Sequence, residues 1–356
     1  MKRILILYSE VMGYTRACID QLASDFNVEI LMFQLDKLKL TPYEPDFRQR
    51  NVTFYNKSQF SEYKLFFKKC ADFNPTVIFV SGWMDEDYLR VAKHYKRKGL
   101  RVVSFVDNQW KSTLRQNLAS IFGRNYLHKY FTNLWVSGIR QYEFAKRLGF
   151  KDTNIKFGFC PADYNLFNSI YLRRKLGLEN KNLVKEIIYV GRLSPVKDLE
   201  LFLETFTRFH DLWSEWKFKI VGSGPQIKLI NKYVNSYPNL ISHIEFLEPN
   251  LLQEEIVNSG VFVLPSLNEP WGVVIHEFAI AGFPIICSDA CGASDVFVRD
   301  GYNGYTFQKN DKVSLKRVLK KVLNLPNEQL CLMAQRSHDL GGYLTPEMWA
   351  ATAYSY

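Results

Sequence analysis

Short apolar runs alternate with longer amphipathic stretches along most of the chain. Arg3–Tyr8, Val28–Gln34, Pro75–Ser81, Arg101–Val106, Asn133–Ser137 and Ile155–Phe159 have the compact apolar pattern of buried strands. Between them, Thr15–Phe26, Ser61–Phe73, Asp85–Gly99 and Ile139–Leu148 carry the helical period, and Gly149 stops the last of these. Residues 113–131 read as helical or irregular. Residues 36–56 are polar, contain Pro42 and Pro45, and read as loop. Strand and helix alternating at this spacing predict a doubly wound parallel sheet.

Residues 160–182, with Pro161, many charges and Gly177, read as a linker. A second alternating series follows. Its strands are Glu186–Val190, 217–222, His243–Leu247, Val261–Pro265 and Pro284–Cys287, and its helices are 198–213, 225–235, 251–259 and about Trp271–Ala281, the last closed by Gly282. A chain of 356 residues exceeds the size at which single cores usually stop growing. The fold class expected is therefore α/β, with two tandem Rossmann-like doubly wound domains over 1–165 and 166–340. At the end of the chain Thr345, Pro346 and Glu347 stand as N-cap, first helical residue and first-turn acid.

Composition narrows the class. An apolar fraction of 47% and a charged fraction of 23% are those of a soluble globular protein. No apolar run approaches the ~18 residues of a membrane span. MKRILILYSE lacks a small-residue cleavage site and reads as a strand, not a signal peptide. The six cysteines form no Cys-x-x-Cys, which favours a reduced, cytoplasmic protein without a metal site. The net charge of +10 is unevenly placed: residues 1–160 hold 26 Lys and Arg against 15 Asp and Glu. That excess calls for an anionic partner. Arg90–Arg101 and Leu114–Phe131 mix cations with aromatics, and the second would suit a helix lying in a membrane interface. No nucleic-acid module is recognisable.

Candidate chemistry concentrates in the second half. Glu269 and Glu277, with seven residues between them, fall on a strand-end loop and on the helix after it. Both are thereby placed at the crevice where open α/β sheets bind ligands. Gly272 between them would let a ligand approach a helix N-terminus, where free N–H groups favour an anion. In YVGRLSPVKD, Gly191 turns the chain after a strand and Arg192 and Lys197 follow on the loop, the elements of a pyrophosphate site. VGSGP, with Gly222 and Gly224, lacks the third glycine of a dinucleotide fingerprint. Asp85-Glu86-Asp87 has the D-x-D form of some metal sites but reads better as a helix start.

The run NEPWGVVIHEFAIAGFPIICSD closely resembles the E-x7-E segment of retaining glycosyltransferases of the GT-B fold, family four, the glycosyl transferases group 1. Glu269, Pro270, Trp271, Gly272, Glu277, Ala279, Ala281, Gly282 and Pro284 stand in the family's places, and His276 stands where Leu or Met is usual. The Gly191-Arg192 pair with Lys197 resembles the same family. The resemblance is specific over about 186–307 and only topological over 1–160. It implies two domains with a cleft between them and a C-terminal helix, 345–356, packing back on the first. It implies a donor site of Gly13, Gly191, Arg192, Lys197, Gly222, Glu269, Trp271, Gly272, Val273 and Glu277. Arg192 and Lys197 would hold the diphosphate, Glu277 ribose hydroxyls, and Glu269 the transferred sugar. The polar group beside the reacting sugar, often a His, would here be Asp107 or Asn108, and Gly13 stands where a richer glycine loop is common.

The function so implied is transfer of a sugar, with retention, from a nucleotide-diphosphate donor to a hydroxyl of a glycan or lipid-linked saccharide, in surface polysaccharide or glycoconjugate synthesis. No metal or other cofactor is expected. The basic first half would meet anionic lipid at the inner face of the membrane. Two competitors remain open: a GT-B sugar-nucleotide epimerase, and a silent nucleotide-sugar-binding partner.

Overall fold

A computed structural model describes residues 1–35, 45–245, 247 and 249–356. The chain divides into two compact units, Met1–Asp163 with Leu344–Tyr356, and Tyr164–Tyr343.

The first unit runs β1 (Lys2–Tyr8), α1 (Gly13–Asp25), β2 (Val28–Gln34), β3 (Val52–Asn56), α2 (Tyr63–Phe73), β4 (Val77–Ser81), α3 (Glu86–Arg97), β5 (Arg101–Val106), α4 (Leu114–Leu127), β6 (Asn133–Val136), α5 (Ile139–Arg147) and β7 (Ile155–Phe157). Its seven strands pair in parallel in the order β3-β2-β1-β4-β5-β6-β7. Covered on both faces, the central strands are apolar without interruption, as parallel strands are. Ile78, Val80, Val106, Leu134 and Val136 join Phe66, Tyr88 and Phe144 in the core under α2, α3 and α5. Phe79, Phe105 and Trp135, one residue out of step, point to the other face. There Trp349 stacks on Trp135 at 5.0 Å and donates its indole N–H to the Phe159 carbonyl at 2.9 Å.

The 36–56 segment is not all loop. Val52–Asn56 pairs with β2 as an edge strand, half-exposed throughout, so it has no apolar run to announce it. Residues 36–44 of that expectation lie outside the described residues.

The second unit runs α6 (Tyr164–Glu179), β8 (Glu186–Val190), α7 (Leu199–Arg208), β9 (Lys217–Val221), α8 (Ile227–Ser236), β10 (Ile241–Ile244), α9 (Pro249–Val257), β11 (Val261–Leu264), α10 (Val273–Ile280), β12 (Ile285–Ser288), α11 (Ser294–Phe297), β13 (Gly304–Phe307), α12 (Lys312–Leu323) and α13 (Asn327–Gly341); α14 (Pro346–Tyr354) follows and belongs to the first unit. The strands are parallel in the order β10-β9-β8-β11-β12-β13. The expected linker is mostly helix α6, which buries Phe167, Ile170, Arg174 and Leu178 at helical spacing. The strand expected at 243–247 lies earlier, with Ile241–Ile244 in register against Phe218–Val221. Helix α10 starts at Val273 because Gly272, at φ +90°, is the cap outside it. Among the described residues no helix is long and apolar enough to cross a membrane.

Candidate functional site

In the second unit β8 lies between β9 and β11. The chain moves outward one way through β9 and β10, then returns to place β11 on the other side of β8. That reversal opens a crevice at the C-terminal ends of β8 and β11. The loop after β8 carries Gly191, Arg192 and Lys197, and the loop after β11 carries Glu269 and Gly272.

The two loops are stitched together. The Leu267 amide donates to the Val196 carbonyl at 2.8 Å. This brings Lys197, at the end of the short turn Pro195–Lys197, against Glu269, and its ammonium bonds Oε2 of that carboxylate. The Ser266 hydroxyl, fully buried, donates to the same oxygen at 3.3 Å. Both partners of the ion pair keep some access to water, 17% for Lys197 and 15% for Glu269. The loop is held from behind as well: Gly292 N–H donates to the Glu269 carbonyl at 3.0 Å, Ala293 N–H to the Trp271 carbonyl at 2.8 Å, and Ser288 Oγ to the Ser266 carbonyl.

Gly272 has a role the sequence did not reveal. A Cβ there would lie 2.8 Å from Cγ of Glu269, on a backbone already at positive φ. The glycine leaves room for the carboxylate arm of its own loop as much as for any ligand. Gly222 likewise serves the chain: its Cβ would fall 2.0 Å from the Gly191 carbonyl oxygen, at φ +142°. The turns after β8 and β9 therefore touch backbone to backbone, with Gly191 N–H donating to Val221 and Leu193 N–H to Ser223.

Tyr189 and Ser266 were not among the expected site residues. The Tyr189 hydroxyl, buried at the end of β8, donates to the Arg192 carbonyl at 2.9 Å and so fixes the turn that presents Arg192. Burial raises its pKa strongly, the Glu269 charge adds to this, and Arg192 opposes it. In the sequence Tyr189 is one more strand residue and Ser266 one more turn residue, so no local signal marks either.

The other expected residues fall as follows. Arg192 is exposed, and Val273 and Glu277 are half-buried on α10. Trp271 is buried with its edge against Phe297, so its indole supports the loop and offers no open face. His276 is fully buried, stacked on Phe297 at 4.0 Å, with Nε2 2.9 Å from the Gly341 carbonyl. Burial pushes its pKa down to about 4, against a weaker upward pull from that carbonyl. Gly13 and Asp107 belong to the first unit. Gly13 is the first residue of α1, and Asp107 follows β5 with an exposed side chain. Desolvation by the protein around that carboxyl raises its pKa, and its own backbone N–H pulls the other way. Asp85 caps α3 through Tyr88 N–H at 2.9 Å, and Lys57 lies 2.6 Å from Asp85 and 3.0 Å from Asp87. That D-x-D is thus a capped and neutralised helix start. Trp83 and Trp110 both pack on Phe144.

The sequence profile of the family described as glycosyl transferases group 1 matches residues 172–336. An uncharacterized glycosyltransferase of Methanocaldococcus jannaschii is 27% identical over 196 residues, 49% of this chain and 53% of that one. The alpha-monoglucosyldiacylglycerol synthase of Acholeplasma laidlawii is 30% identical over 173 residues, 44% of this chain and 42% of that one. The chain thus spans about half the length of the curated relatives it matches. Over its whole length it shares its fold with Anabaena HepE, solved in complex with UDP, at a TM-score of 0.75 and 13% identity, covering 100% of this chain and 99% of that one. The architecture is GT-B.

Proposed function

We propose that the chain, whose residues 172–336 match the glycosyl transferases group 1 profile, is a retaining glycosyltransferase using a nucleoside diphosphate sugar. The observation that carries this reading is the Lys197–Glu269 pair at the β8/β11 crevice. A diphosphate would draw Lys197 to itself, joined by exposed Arg192 and the first-turn amides of α10 around Gly272 and Val273. Glu269, still steadied by Ser266, would then accept hydroxyls of the sugar, and Glu277 hydroxyls of the ribose. As the glycosidic bond breaks, negative charge grows on the leaving diphosphate. Arg192 and Lys197 would stabilise it with charges already in place. Attack from the face the diphosphate leaves, with a phosphate oxygen taking the acceptor's proton, would retain configuration without a carboxylate nucleophile. No metal is invoked, because the two cations meet the diphosphate charge. Gly13 and Asp107 are assigned to the reaction on resemblance alone.

The donor base is read as uridine, since HepE has been solved with both UDP and UDP-glucose. The acceptor is read as a lipid or lipid-linked saccharide, supported by the relative named alpha-monoglucosyldiacylglycerol synthase, whose product is a glycolipid, and by the basic first unit. The protein would then work from the cytoplasm at an anionic membrane. Thermal stabilisation by UDP, GDP, ADP and CMP tests the donor site. A ligand at 100 times its Kd should add about 2.7 kcal/mol. A shift with UDP that disappears in Lys197→Ala is expected. No shift with any of the four would sink the proposed site.

A further inference from the structure

Helix α10, which carries Glu277, is held from behind by the end of α13. Val273 and Glu277 lie i, i+4 on one face of α10, both half-buried. His276 and Ile280 lie i, i+4 on the adjoining face, both fully buried. A Cβ on Gly341 would lie 2.6 Å from the Ile280 nitrogen, so α10 and α13 meet backbone to backbone at that point.

Around this contact two histidines exchange bonds. His276, on α10, sets Nε2 2.9 Å from the carbonyl of Gly341, the last residue of α13. His338, on α13, sets Nδ1 2.7 Å from the carbonyl of Ile280, the last residue of α10. A carbonyl can only accept, so the ring nitrogen at each contact carries the proton. Each ring thereby satisfies a C-terminal carbonyl for which the other helix has no partner of its own. Burial pushes the His276 pKa down to about 4, so this ring stays neutral through the physiological range. Both rings are clamped flat as well, His276 on Phe297 at 4.0 Å and His338 on Tyr171 of α6 at 3.6 Å.

Two tie points do what one cannot. Positions 276 and 280 stand about 6 Å apart along the helix axis. A single bond would leave a pivot. Two bonds running in opposite senses oppose both sliding and rotation, a directionality that apolar packing lacks. Rotation matters because a side-chain tip stands about 6 Å off the axis, so a turn of about 20° carries it about 2 Å. Misplacement by about 1 Å is enough to cost a hundredfold at a reacting centre. Phe297 also takes the edge of Trp271 at 6.1 Å, so the His276 ring backs the loop of Glu269 too.

We propose that His276 and His338 form a reciprocal clasp that positions α10, and with it Glu277, for the ribose of the donor. Neither ring touches the donor; both act through the helix. The clasp rests for its purpose on the reading of Glu277 as the ribose ligand, though not for its geometry. Were the two rings only core, their loss would lower stability and leave ligand affinity alone.

Calorimetric titration of the full chain with UDP, and with dideoxy-UDP that lacks both ribose hydroxyls, tests this at neutral pH. His276→Leu and His338→Phe are each expected to weaken UDP binding about tenfold. Either break frees the helix, so the double variant should lose about thirtyfold at most, short of the hundredfold of independent effects. Dideoxy-UDP offers Glu277 nothing to hold, and the same variants should bind it within about threefold of wild type. The Gln amide nitrogen reaches the place of Nε2 and the Asn amide nitrogen that of Nδ1. His276→Gln and His338→Asn should therefore restore UDP affinity to within about threefold. Apolar variants that bind UDP like wild type overturn the clasp. So does an equal loss of both nucleotides, or Gln and Asn variants no better than Leu and Phe. Unchanged UDP affinity in Glu277→Ala, or a wild type that ignores UDP, sinks the ribose reading instead. Hydrogen exchange then decides the clasp by itself. The amides of Glu277 and Phe278 should exchange about tenfold faster in His276→Leu, with those of α12 unchanged, and equal exchange in both proteins would overturn it.

Discussion

The two units use one strand permutation and treat its crevice differently. In each, the first strand sits between the second and the fourth, β1 between β2 and β4, β8 between β9 and β11. In the second unit the loops at that point bring together an ammonium and a carboxylate, with an exposed guanidinium nearby. In the first unit a chain of neutral groups helps to hold the corresponding loop after β1. The Val11 amide donates to the buried Gln34 side chain at 3.1 Å, and Gln34 donates on to Asn56 at 2.8 Å. The ion pair that the first unit has after β4, Lys57 with Asp85, is committed to the start of α3 instead, where Asp85 caps the helix. A fold supplies the place, and a few loop residues decide what can bind there.

Removing the charge should break the contrast most sharply. Lys197→Ala is expected to lower transfer from a UDP-sugar by about a hundred- to a thousandfold, the scale of losing one preorganised charge at a leaving group. A rate within about threefold of wild type would show that the β8/β11 crevice is not where the chemistry occurs. Backbone closeness comes next. Gly222→Ala must place a methyl against the Gly191 carbonyl at positive φ and should cost about 3 kcal/mol in urea unfolding. Gly82→Ala, after β4 in the first unit, has positive φ with open space around it and should cost about 1 kcal/mol. Equal costs would contradict the close packing described for the second unit.

A third difference is acid sensitivity. Buried His276 has its pKa lowered to about 4, so between that value and its ordinary 6.5 the unfolded chain binds a proton that the folded protein refuses. Its contribution is intact above pH 6.5 and is lost as pH falls towards 4, up to about 3 kcal/mol. His276→Leu should cost about 1 kcal/mol at pH 7.5, from the unpaired Gly341 carbonyl, and be the more stable form near pH 4.5. Parallel stability profiles for the two proteins would refute this. The smallest effect is expected at Asp107. Asp107→Asn should leave UDP stabilisation within about 0.3 kcal/mol of wild type while slowing transfer about tenfold. A lost UDP shift would place part of the nucleotide site in the first unit.

Much of this was legible in the residues because parallel strands, buried on both faces, must be written as apolar runs. Val261–Leu264 and Ile285–Ser288 are clear for that reason, and the Gly, Arg, Lys and Glu between such runs stand out. What escaped lacked that contrast. Val52–Asn56 is a half-exposed edge, and α6 hides its apolar stripe among arginines and a lysine, one of those arginines itself buried on the stripe. Tyr189 and Ser266 each act through a hydroxyl aimed at a residue three places on, the Arg192 carbonyl and the Glu269 carboxylate, and the residue types alone carry no trace of such aim. The glycines were legible as glycines; that two of them make room for their own chain was not.

The return of α14 to the first unit sets an order of events during synthesis. Phe79, Phe105 and Trp135 lie on the sheet face that Trp349 and Tyr356 cover. Those covering residues leave the ribosome only after all of Tyr164–Tyr343 has been made, on the order of ten seconds later at ordinary elongation rates. The second unit is continuous and can close while still tethered. The first must wait with an aromatic face open to water, to chaperones and to other nascent chains. Ribosome-bound chains arrested near residue 343 should therefore yield a protease-resistant second unit beside a cleavable first one. Equal resistance of both would mean that the sheet closes without its last helix.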